Sequence, residues 1–367
     1  MKTYRPTWAE IDLGAIRENY RTIRRLVPSD VKVMTVVKAN AYGHGSIQVS
    51  GVLEKEGVSY LGVATVDEAI KLRKAGIKAP ILVLGSAFPH EVKPAKDYGL
   101  TLTLCSKELL DAINKNRLNM KVHIKIDTGM GRIGVWHEDA MEFIEKVRKS
   151  KYAEIEGIFT HFSSAGRDVN YTQYQIDSFY NLLENLEEKN INIPLKHAAN
   201  SIAVIDWKKS HLNLVRPGII IFGVYPKKNF RKIINLKPAF SLKTKIAFIK
   251  SVPKDRAISY GRTYVTKKAT KIATLPIGYA DGYGRILSNK AKVLIKGKLA
   301  PVIGKVTMDQ TMIDVGQIKG AKVGDEVVLI GKQKDKEIRV EKLARLAGTI
   351  PYEILTGITY RVQRIYR

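Results

Sequence analysis

The first part of the chain alternates short apolar runs, rich in β-branched residues, with longer stretches of helical periodicity. One apolar run follows another at intervals of about 20 to 25 residues, which is typical of repeated strand–helix units. Eight such runs can be counted: KVMTVVK ending at Lys38, and the runs that start at Tyr60, Ile81, Leu100, Lys121, Glu154, Pro194 and Leu214. Eight units predict an α/β fold in which a (β/α)8 barrel of the TIM type closes on itself.

The stretches between these runs carry helix-terminus signals. In TVDEAIKLRKAG, Thr65 is a good N-cap, Glu68 follows three residues later, and Gly76 is placed to end the helix. Thr and Glu at this spacing are typical of a capping box, and glycine is common just after a helix C-terminus. The segment HEDAMEFIEKVRKS predicts a further helix. The elements between the strands are therefore helices, as a barrel requires.

After Pro226 the pattern changes to β-rich runs joined by turns rich in Gly and Asp. The runs are SLKTKIAFIKSV, TKIATLPIGYADGYG, KVLIKGKLAPVIGKVT and DEVVLIG, with one short helix, VEKLARLAG, before the closing segment YEILTGITYRVQRIYR. This part of the chain is predicted to be a mainly β C-terminal domain. We place the boundary near residue 230, which gives a barrel over residues 1–230 and a β domain over 231–367.

Composition agrees with two folded cores and excludes several kinds of site. The chain has 367 residues, of which 45% are hydrophobic and 26% are charged, as in globular proteins. No run has signal-peptide character or the roughly 20 apolar residues of a bilayer span, so we expect a cytoplasmic protein with no membrane partner. A single cysteine, Cys105, excludes an internal disulfide and a cysteine-based zinc site. Its apolar run predicts a buried structural thiol, and no metal site is predicted.

The formal net charge of +27 raises the alternative of a nucleic-acid binder. The basic residues are spread over almost every segment, however, and no recognition motif or basic run interleaved with aromatic residues is present. We therefore predict a solvated basic surface and no nucleic-acid partner. Such a surface helps to attract small anions such as phosphates and carboxylates.

Several polar residues fall at or just after the carboxyl ends of the predicted barrel strands, where such barrels carry their reactive groups. They are Lys38, Arg132, His161, Ser201 and Arg216. A lysine at a strand end is by itself weak evidence, because many lysines only extend from strand ends to solvent. Other motifs along the chain are needed to interpret it.

Those motifs are VVKANAYGHG, DTGMGRIG, HAANS, VRPG, SYGRTY, LPIGYADGYGR and PYE. Together, in this order and approximate spacing, they resemble the alanine racemase family, the two-domain members of the fold-type III pyridoxal 5′-phosphate enzymes. The resemblance runs from WAEIDL near residue 8 to YRVQR near residue 364. It implies that pyridoxal 5′-phosphate is the cofactor and that the reaction interconverts L-alanine and D-alanine by a two-base mechanism.

By this resemblance, Lys38 is the catalytic lysine that binds the cofactor covalently, and Tyr260 is the base on the opposite face. In the family the lysine serves D-alanine and the tyrosine serves L-alanine. Because tyrosine has an ordinary pKa near 10, it needs neighbours that favour its phenolate. His161 and Arg216 match the pair that gives this help.

Further cofactor contacts follow from the same resemblance. Arg216 faces the pyridine nitrogen and, since an arginine gives up its proton with difficulty, leaves that nitrogen unprotonated. The cofactor phosphate is expected to be held by side chains and backbone amides from four of the motifs: Tyr42, Ser201, Tyr352 and the amides of Gly218 and Ile219.

The substrate pocket is implied in the same way. Arg132 matches the residue that contacts the cofactor phenolic oxygen and the substrate carboxylate, while Tyr279 and Met308 line the substrate path and pocket. Asp309 also lies in the site in family members. Lys125 matches a lysine that is carbamylated in many relatives, and an ordinary barrel lysine is the alternative.

The family arrangement also implies a homodimer with shared active sites, in which Tyr260 reaches the lysine of the other subunit and Met308 joins the partner's pocket. Two positions depart from common family residues: Thr307 stands where many relatives have cysteine, and Gln363 where proline is frequent. The first could alter the preferred side chain of the substrate.

Three alternatives to an alanine racemase stay open within this fold. A broad-specificity or serine racemase would differ in the size of the pocket. An amino-acid decarboxylase normally has an acidic residue where this chain has Arg216. A non-enzymatic pyridoxal phosphate-binding protein would be a single barrel, without the β domain and Tyr260.

Overall fold

The computed structural model describes residues 4–367, and residues 1–3 of the expected first domain lie outside it. Each of the eight predicted runs contains one strand of a parallel barrel: Lys32–Val36, Tyr60–Val63, Ile81–Ser86, Thr101–Leu104, Met120–Asp127, Ala153–Phe159, Leu195–His197 and Leu214–Val215. Neighbouring strands pair in chain order, and the last strand pairs with the first. A bridge between Asn200 and Arg216 joins the seventh and eighth strands. The predicted TIM-type barrel is confirmed.

Helices cover the outside of the barrel and pack one apolar face on the strands. They span Leu13–Arg24, Ser46–Lys55, Val66–Lys74, Val92–Asp97, Lys107–Asn116, Ala140–Arg148, Val169–Glu188 and Ala203–Asp206. In the first of them, Ile16, Tyr20 and Ile23 are buried at the helical spacing of three and four residues. Within residues 4–367, no helix combines the length and apolar character that a membrane span requires.

The helix predicted after Thr65 forms as expected at both ends. The Thr65 side chain accepts a hydrogen bond from the backbone N–H of Glu68 at 3.2 Å, and Gly76 follows the helix with a positive φ of 88°. The Glu68 carboxylate, however, accepts from the N–H of Ala64 and of Ala39. Only the Thr65 half of the capping box is therefore formed. Glu68 instead binds the N–H of Ala39, a long-range partner that the local sequence pattern could not reveal.

The second domain is mainly β, as predicted. Its larger sheet contains Phe240–Lys245, Lys292–Ile295, Lys298–Pro301, Glu326–Gln333, Lys336–Ile338 and Gln363–Tyr366. A three-stranded sheet contains Phe248–Val252, Thr270–Leu275 and Thr311–Asp314, and a two-stranded sheet contains Ala257–Ile258 and Tyr264–Val265. The run SLKTKIAFIKSV is thus two strands in different sheets. Helices Val340–Ala347 and Pro351–Thr356 precede the closing strand.

The first strand of the chain, Thr7–Ile11, lies inside the larger sheet of the second domain. It pairs antiparallel with Phe240–Lys245 and parallel with Gln363–Tyr366. This segment falls within residues 1–230, the part of the chain predicted to form the barrel. Both ends of the chain therefore meet in one sheet, and the chain enters the barrel only after this strand.

Gly223 lies where the end of the barrel meets the β domain. Its φ is +74°, and a Cβ at this position would overlap with the carbonyl oxygen of Lys237. Its carbonyl accepts a hydrogen bond from the guanidinium of Arg339 at 2.8 Å. Glycine is therefore required here both for the left-handed backbone and for the close approach of two chain segments.

We predict that Gly223→Ala lowers the free energy of unfolding by at least about 3 kcal/mol, because the backbone near Lys237 must shift. Gly348 is the matched control, since it also has a positive φ of 68° but has open space where a Cβ would lie. Gly348→Ala should cost only the left-handed strain of about 1–2 kcal/mol. Denaturant unfolding of both variants measures the difference, and equal losses would contradict the role of the close approach.

Candidate active site

A cavity of about 370 Å³ opens at the carboxyl ends of the barrel strands. Nine of the residues selected from the sequence line it: Lys38, Tyr42, Lys125, Arg132, His161, Ser201, Arg216, Gly218 and Tyr352. Ile219 does not line the cavity with its side chain, which is fully buried directly after Gly218. The barrel thus collects residues that are up to 314 positions apart in the chain, from Lys38 to Tyr352.

The segment that carries Lys38 and Tyr42 has an unusual backbone. Four consecutive residues other than glycine, Ala39 to Tyr42, have φ between 51° and 54° and form a left-handed turn. This turn brings both Lys38 and Tyr42 to the cavity wall. Burial and the nearby Arg132 lower the pKa of the Lys38 amine, while Glu68 acts in the opposite direction.

Tyr42, Ser201, Gly218 and Tyr352 form one end of the cavity. The Ser201 hydroxyl accepts a hydrogen bond from the Gly218 N–H at 2.8 Å, and the rings of Tyr42 and Tyr352 are 5.7 Å apart. A Cβ on Gly218 would lie 2.7 Å from the Tyr42 hydroxyl, so a larger residue would fill this end. Burial raises the pKa of Tyr352 to about 12 and that of Tyr42 further, so both hydroxyls remain hydrogen-bond donors. Neutral donors around a backbone amide suit a phosphate.

Arg216 also lines the cavity, is buried, and is held by several acceptors. Its guanidinium donates to Nδ1 of His197 at 2.8 Å and to the carbonyl oxygens of Thr160 and Ala198 at 2.6 and 3.0 Å. One of its nitrogens is also 3.5 Å from Nδ1 of His161. Burial lowers the pKa of Arg216 to about 9, so the group is still mainly protonated at neutral pH.

A chain of hydrogen bonds extends from Arg216 through the barrel interior. Nε2 of His197 is 2.8 Å from Nδ1 of His123, and Nε2 of His123 is 3.3 Å from a carboxylate oxygen of Glu156, which also pairs with Lys121 at 2.8 Å. Burial lowers the pKa of both histidines. A carboxylate only accepts and a guanidinium only donates, so each neutral ring has its proton on Nε2 and its free acceptor on Nδ1. The sequence analysis selected none of His123, Glu156 and His197.

The loop with Arg132 is shaped by a single carboxylate. Asp127 accepts hydrogen bonds from the N–H groups of Gly129, Met130, Gly131 and Arg132 at 2.8 to 3.2 Å. Burial would raise the pKa of Asp127, but these bonds outweigh it and lower the pKa. Within residues 4–367, no acceptor holds the Arg132 guanidinium, which lines the cavity and is available to a ligand.

Lys125 lines the cavity and is only 2% exposed. Its amine donates to the carbonyl of Ile126 at 2.6 Å and is 5.4 Å from the centre of the Phe159 ring. Burial and the charge of Arg216 lower its pKa to about 7, so a large share of the amine is neutral near neutral pH. The nearby Cys105 is half-buried, and burial raises the pKa of its thiol.

The charges of the cavity all have one sign. Lys38, Lys125, Arg132 and Arg216 line it, and no Asp or Glu does so among the described residues. Those residues also contain no group of three or more His, Cys, Asp or Glu arranged to hold a metal ion. The cavity therefore suits a small ligand with several anionic groups, such as a phosphate and a carboxylate.

Tyr260, Tyr279 and Met308 lie away from this cavity, on the β domain. They are 71%, 42% and 54% exposed. Their segments are joined directly, since the N–H of Tyr279 donates to the carbonyl of Thr307 and the Ser259 hydroxyl donates to the carbonyl of Lys305. The three residues therefore belong to one connected surface, and a single chain does not combine them with Lys38.

An ionic cluster around one buried carboxylate supports this surface. Arg5 makes two hydrogen bonds of 2.5 and 2.8 Å with the carboxylate of Asp281, which is completely buried. Arg361 pairs with Asp309 at 2.6 Å and lies 3.4 Å from Asp281. Asp309 thus has a structural contact that the sequence analysis did not assign, and Arg5 and Asp281 were missed because their partners are far apart in the chain.

Comparisons with known proteins point to one family for both domains of the chain. Residues 11–226 match the family model described as alanine racemase, N-terminal domain, and residues 239–366 match alanine racemase, C-terminal domain. The chain belongs to the alanine racemase family. The resemblance noted from the sequence motifs is thereby confirmed.

Relatives and solved structures of this family cover nearly the full chain. Alanine racemase 2 of Caldanaerobacter subterraneus subsp. tengcongensis is 48% identical, covering 99% of this chain and 95% of the relative. Alanine racemase of Methanococcus maripaludis is 47% identical over 98% of both chains. The Clostridium difficile 630 alanine racemase structure has a TM-score of 0.94 at 41% identity, over 100% of this chain and 97% of that chain. An alanine racemase from Bacillus anthracis with bound L-Ala-P has the same TM-score and identity, over 100% and 96%.

The hydrogen-bonded chain predicts how stability depends on pH. Burial would raise the pKa of Glu156, but bonds from His123 and Lys121 outweigh it and lower the pKa from 4.5 to about 2. A depressed carboxylate pKa stabilises the fold above about pH 4.5, and this contribution is lost as the pH falls towards 2. The free energy of unfolding of Glu156→Gln should therefore be lower than that of the wild type at pH 6, and the gap should narrow below pH 4.5.

The matched control is Glu154→Gln, an exposed position on the same strand. Its difference from the wild type should stay small and independent of pH over this range. Urea unfolding at a series of pH values measures both variants. A gap for Glu156→Gln that is constant from pH 6 to pH 3 would contradict the assigned hydrogen bonds.

Proposed function

We propose that this protein is an isomerase that interconverts L-alanine and D-alanine with pyridoxal 5′-phosphate as its cofactor. The observation that carries the proposal is the cationic cavity at the carboxyl end of the barrel, with Lys38 and Arg132 on its wall and no carboxylate in its lining. The alanine racemase family and the L-Ala-P bound to the Bacillus anthracis relative support the same reaction. We also propose that residues 1–230 form the barrel and residues 231–367 the β domain. The proposed location of the protein is cytoplasmic.

The residues present fit the proposed cofactor. Its phosphate would be held by Tyr42, Ser201, Tyr352 and the backbone amides at Gly218 and Ile219. The space for it depends on Gly218, because a Cβ there would fill this end of the cavity. Arg216 would face the pyridine nitrogen, and as a donor only it would leave that nitrogen unprotonated. When bound, pyridoxal phosphate supplies a ring that withdraws electrons and stabilises negative charge at the substrate α-carbon.

Lys38 is the first proposed base. Burial and Arg132 lower its pKa, so more of the amine is neutral and able to accept the α-proton of D-alanine. Arg132 would bind the substrate carboxylate and the cofactor phenolic oxygen, since its guanidinium has no acceptor within residues 4–367. Lys125 has the neutral amine that reaction with carbon dioxide requires, and its carbamylation stays a prediction from the resemblance.

Tyr260 is the second proposed base, for L-alanine. Its exposed position, together with Tyr279 and Met308 on one surface of the β domain, supports a homodimer in which this surface completes the cavity of the partner subunit. His161 would assist the phenolate: burial and Arg216 hold its pKa far below the ordinary value, so the ring is neutral and able to hydrogen bond.

The direct test is racemisation of alanine by the purified protein with added cofactor. We expect a yellow protein that racemises alanine faster than serine or larger amino acids, which separates it from a broad-specificity or serine racemase. Lys38→Ala should remove the colour and lower the rate at least about 10³-fold, because one acid–base group and the cofactor attachment are lost. Lys32→Ala, an exposed change on the strand that precedes Lys38, is the control and should keep both the colour and the activity. A colourless wild type in excess cofactor would reject the proposal.

The shared site has its own test, in mixed dimers of Lys38→Ala and Tyr260→Phe. If the two bases come from different subunits, each mixed dimer has one intact site and one site with both changes. Random exchange of equal amounts makes about half of the dimers mixed, so activity should recover to about a quarter of the wild type. Differential tags verify that mixed dimers form. Activity no greater than the sum of the separate variants would show that both bases belong to one subunit.

A further inference from the structure

The left-handed turn after Lys38 must be held by contacts outside itself. Left-handed backbone costs about 1–2 kcal/mol for each residue other than glycine, and Ala39 to Tyr42 are four such residues in succession. At the far end of the turn, the Asn40 side chain accepts from the Ser46 N–H at 2.9 Å. Arg364 donates to the carbonyl of Gly43 at 3.2 Å, which ties this end to the β domain.

The near end of the turn is held by one carboxylate. Glu68 accepts from the N–H of Ala39, the residue directly after Lys38, at 2.7 Å through one oxygen. Its other oxygen accepts from the N–H of Ala64, just after the second barrel strand, at 2.8 Å. Hydrogen bonds to a charged acceptor are stronger than neutral ones. Glu68 thus fixes the backbone that carries Lys38 to the neighbouring strand of the barrel.

The same carboxylate supplies a negative charge that acts on the Lys38 amine, whereas the described cavity lining contains no carboxylate. The titratable and charged groups of the lining that face Lys38 are Tyr42, Lys125, Arg132, His161, Arg216 and Tyr352. Each of these is cationic or neutral. Glu68 raises the pKa of Lys38, against burial and Arg132, which both lower it. Glu68 also lies in the first turn of the helix Val66–Lys74, where a negative charge is favoured.

We propose that Glu68 is a positioning residue for Lys38, holding the left-handed turn at Ala39 and keeping one negative charge close to the segment that carries the lysine. The role of Lys38 as a base rests on the proposed function, whereas the fixing of its backbone and amine does not. Glu68 therefore acts on the reaction through Lys38 without contacting the substrate.

The test uses the full chain freed of any cofactor with hydroxylamine, and measures the modification of Lys38 by an amine-reactive acylating reagent over a range of pH. In Glu68→Gln the charge is lost and only one acceptor oxygen remains. The midpoint of Lys38 modification should move to lower pH by about 0.5–1 unit, as expected for the loss of one nearby charge. Peptide mass spectrometry measures the modification of Lys38 alone.

Two further variants separate the charge from general damage. Glu54 also binds two backbone N–H groups, those of Lys78 and Ala79, both at 2.6 Å, on a loop outside the cavity lining. Glu54→Gln should leave the Lys38 midpoint unchanged. Glu68→Asp keeps the charge on a shorter side chain. Its Lys38 midpoint should lie close to that of the wild type, while the rate of Lys38 modification at high pH should still differ from the wild-type rate.

In the presence of cofactor, the acid limb of proton exchange from D-alanine should move to lower pH in Glu68→Gln. If the wild type does not racemise alanine but Glu68→Gln alone shifts the Lys38 midpoint, the proposed function fails and the assignment of Glu68 stands. An unchanged midpoint in Glu68→Gln, or an equal shift in Glu54→Gln, would overturn the assignment of Glu68.

Discussion

The rest of the structure depends on one electrostatic constraint, which is that the cavity collects cationic groups without a carboxylate among its described lining residues. Like charges that share a poorly solvated site lower one another's pKa, and burial acts in the same direction. Burial lowers the pKa of Lys38, Lys125 and Arg216, and neighbouring cations lower those of Lys38 and Lys125 further. The cavity is thus prepared for an anionic ligand, and at neutral pH a larger share of each of its lysine amines is unprotonated, and so able to accept a proton, than in an exposed lysine.

Carboxylates stand just outside this cavity, and each is used to hold geometry. Asp127 binds the loop of Arg132, Glu156 ends the hydrogen-bonded chain to Arg216, and Glu68 binds the turn of Lys38. None of them is among the cavity-lining residues. Because a direct ion pair would neutralise the cationic groups and occupy their donors, placing the acids one layer further out keeps those donors free for a ligand.

The sequence predicted the architecture and most of the cavity because both follow local rules. Strand periodicity located all eight barrel strands, and the barrel rule placed Lys38 and Arg216 at one end of them. Strand Thr7–Ile11 was missed although its inward and outward positions alternate, because its partners lie more than 220 residues away. The chain through His123 and Glu156 was missed for the same reason: the barrel closure, which the local pattern does not specify, brings them together.

The placement of that first strand has a consequence for the proposed shared site. Thr7–Ile11 is an interior strand in the larger sheet of the β domain, and Arg5, just before it, makes two hydrogen bonds to the buried carboxylate of Asp281. Asp281 ends the turn that carries Tyr279, and its carboxylate also accepts from the N–H of Gly278. The same covalent segment leads, through the helix Leu13–Arg24, into the barrel. The surface proposed to enter the partner's cavity is therefore tied by hydrogen bonds to the chain segment that leads into the barrel, which limits how far this surface can move relative to the barrel. In a two-fold dimer this rigidity acts twice, because each chain both offers a surface and receives one.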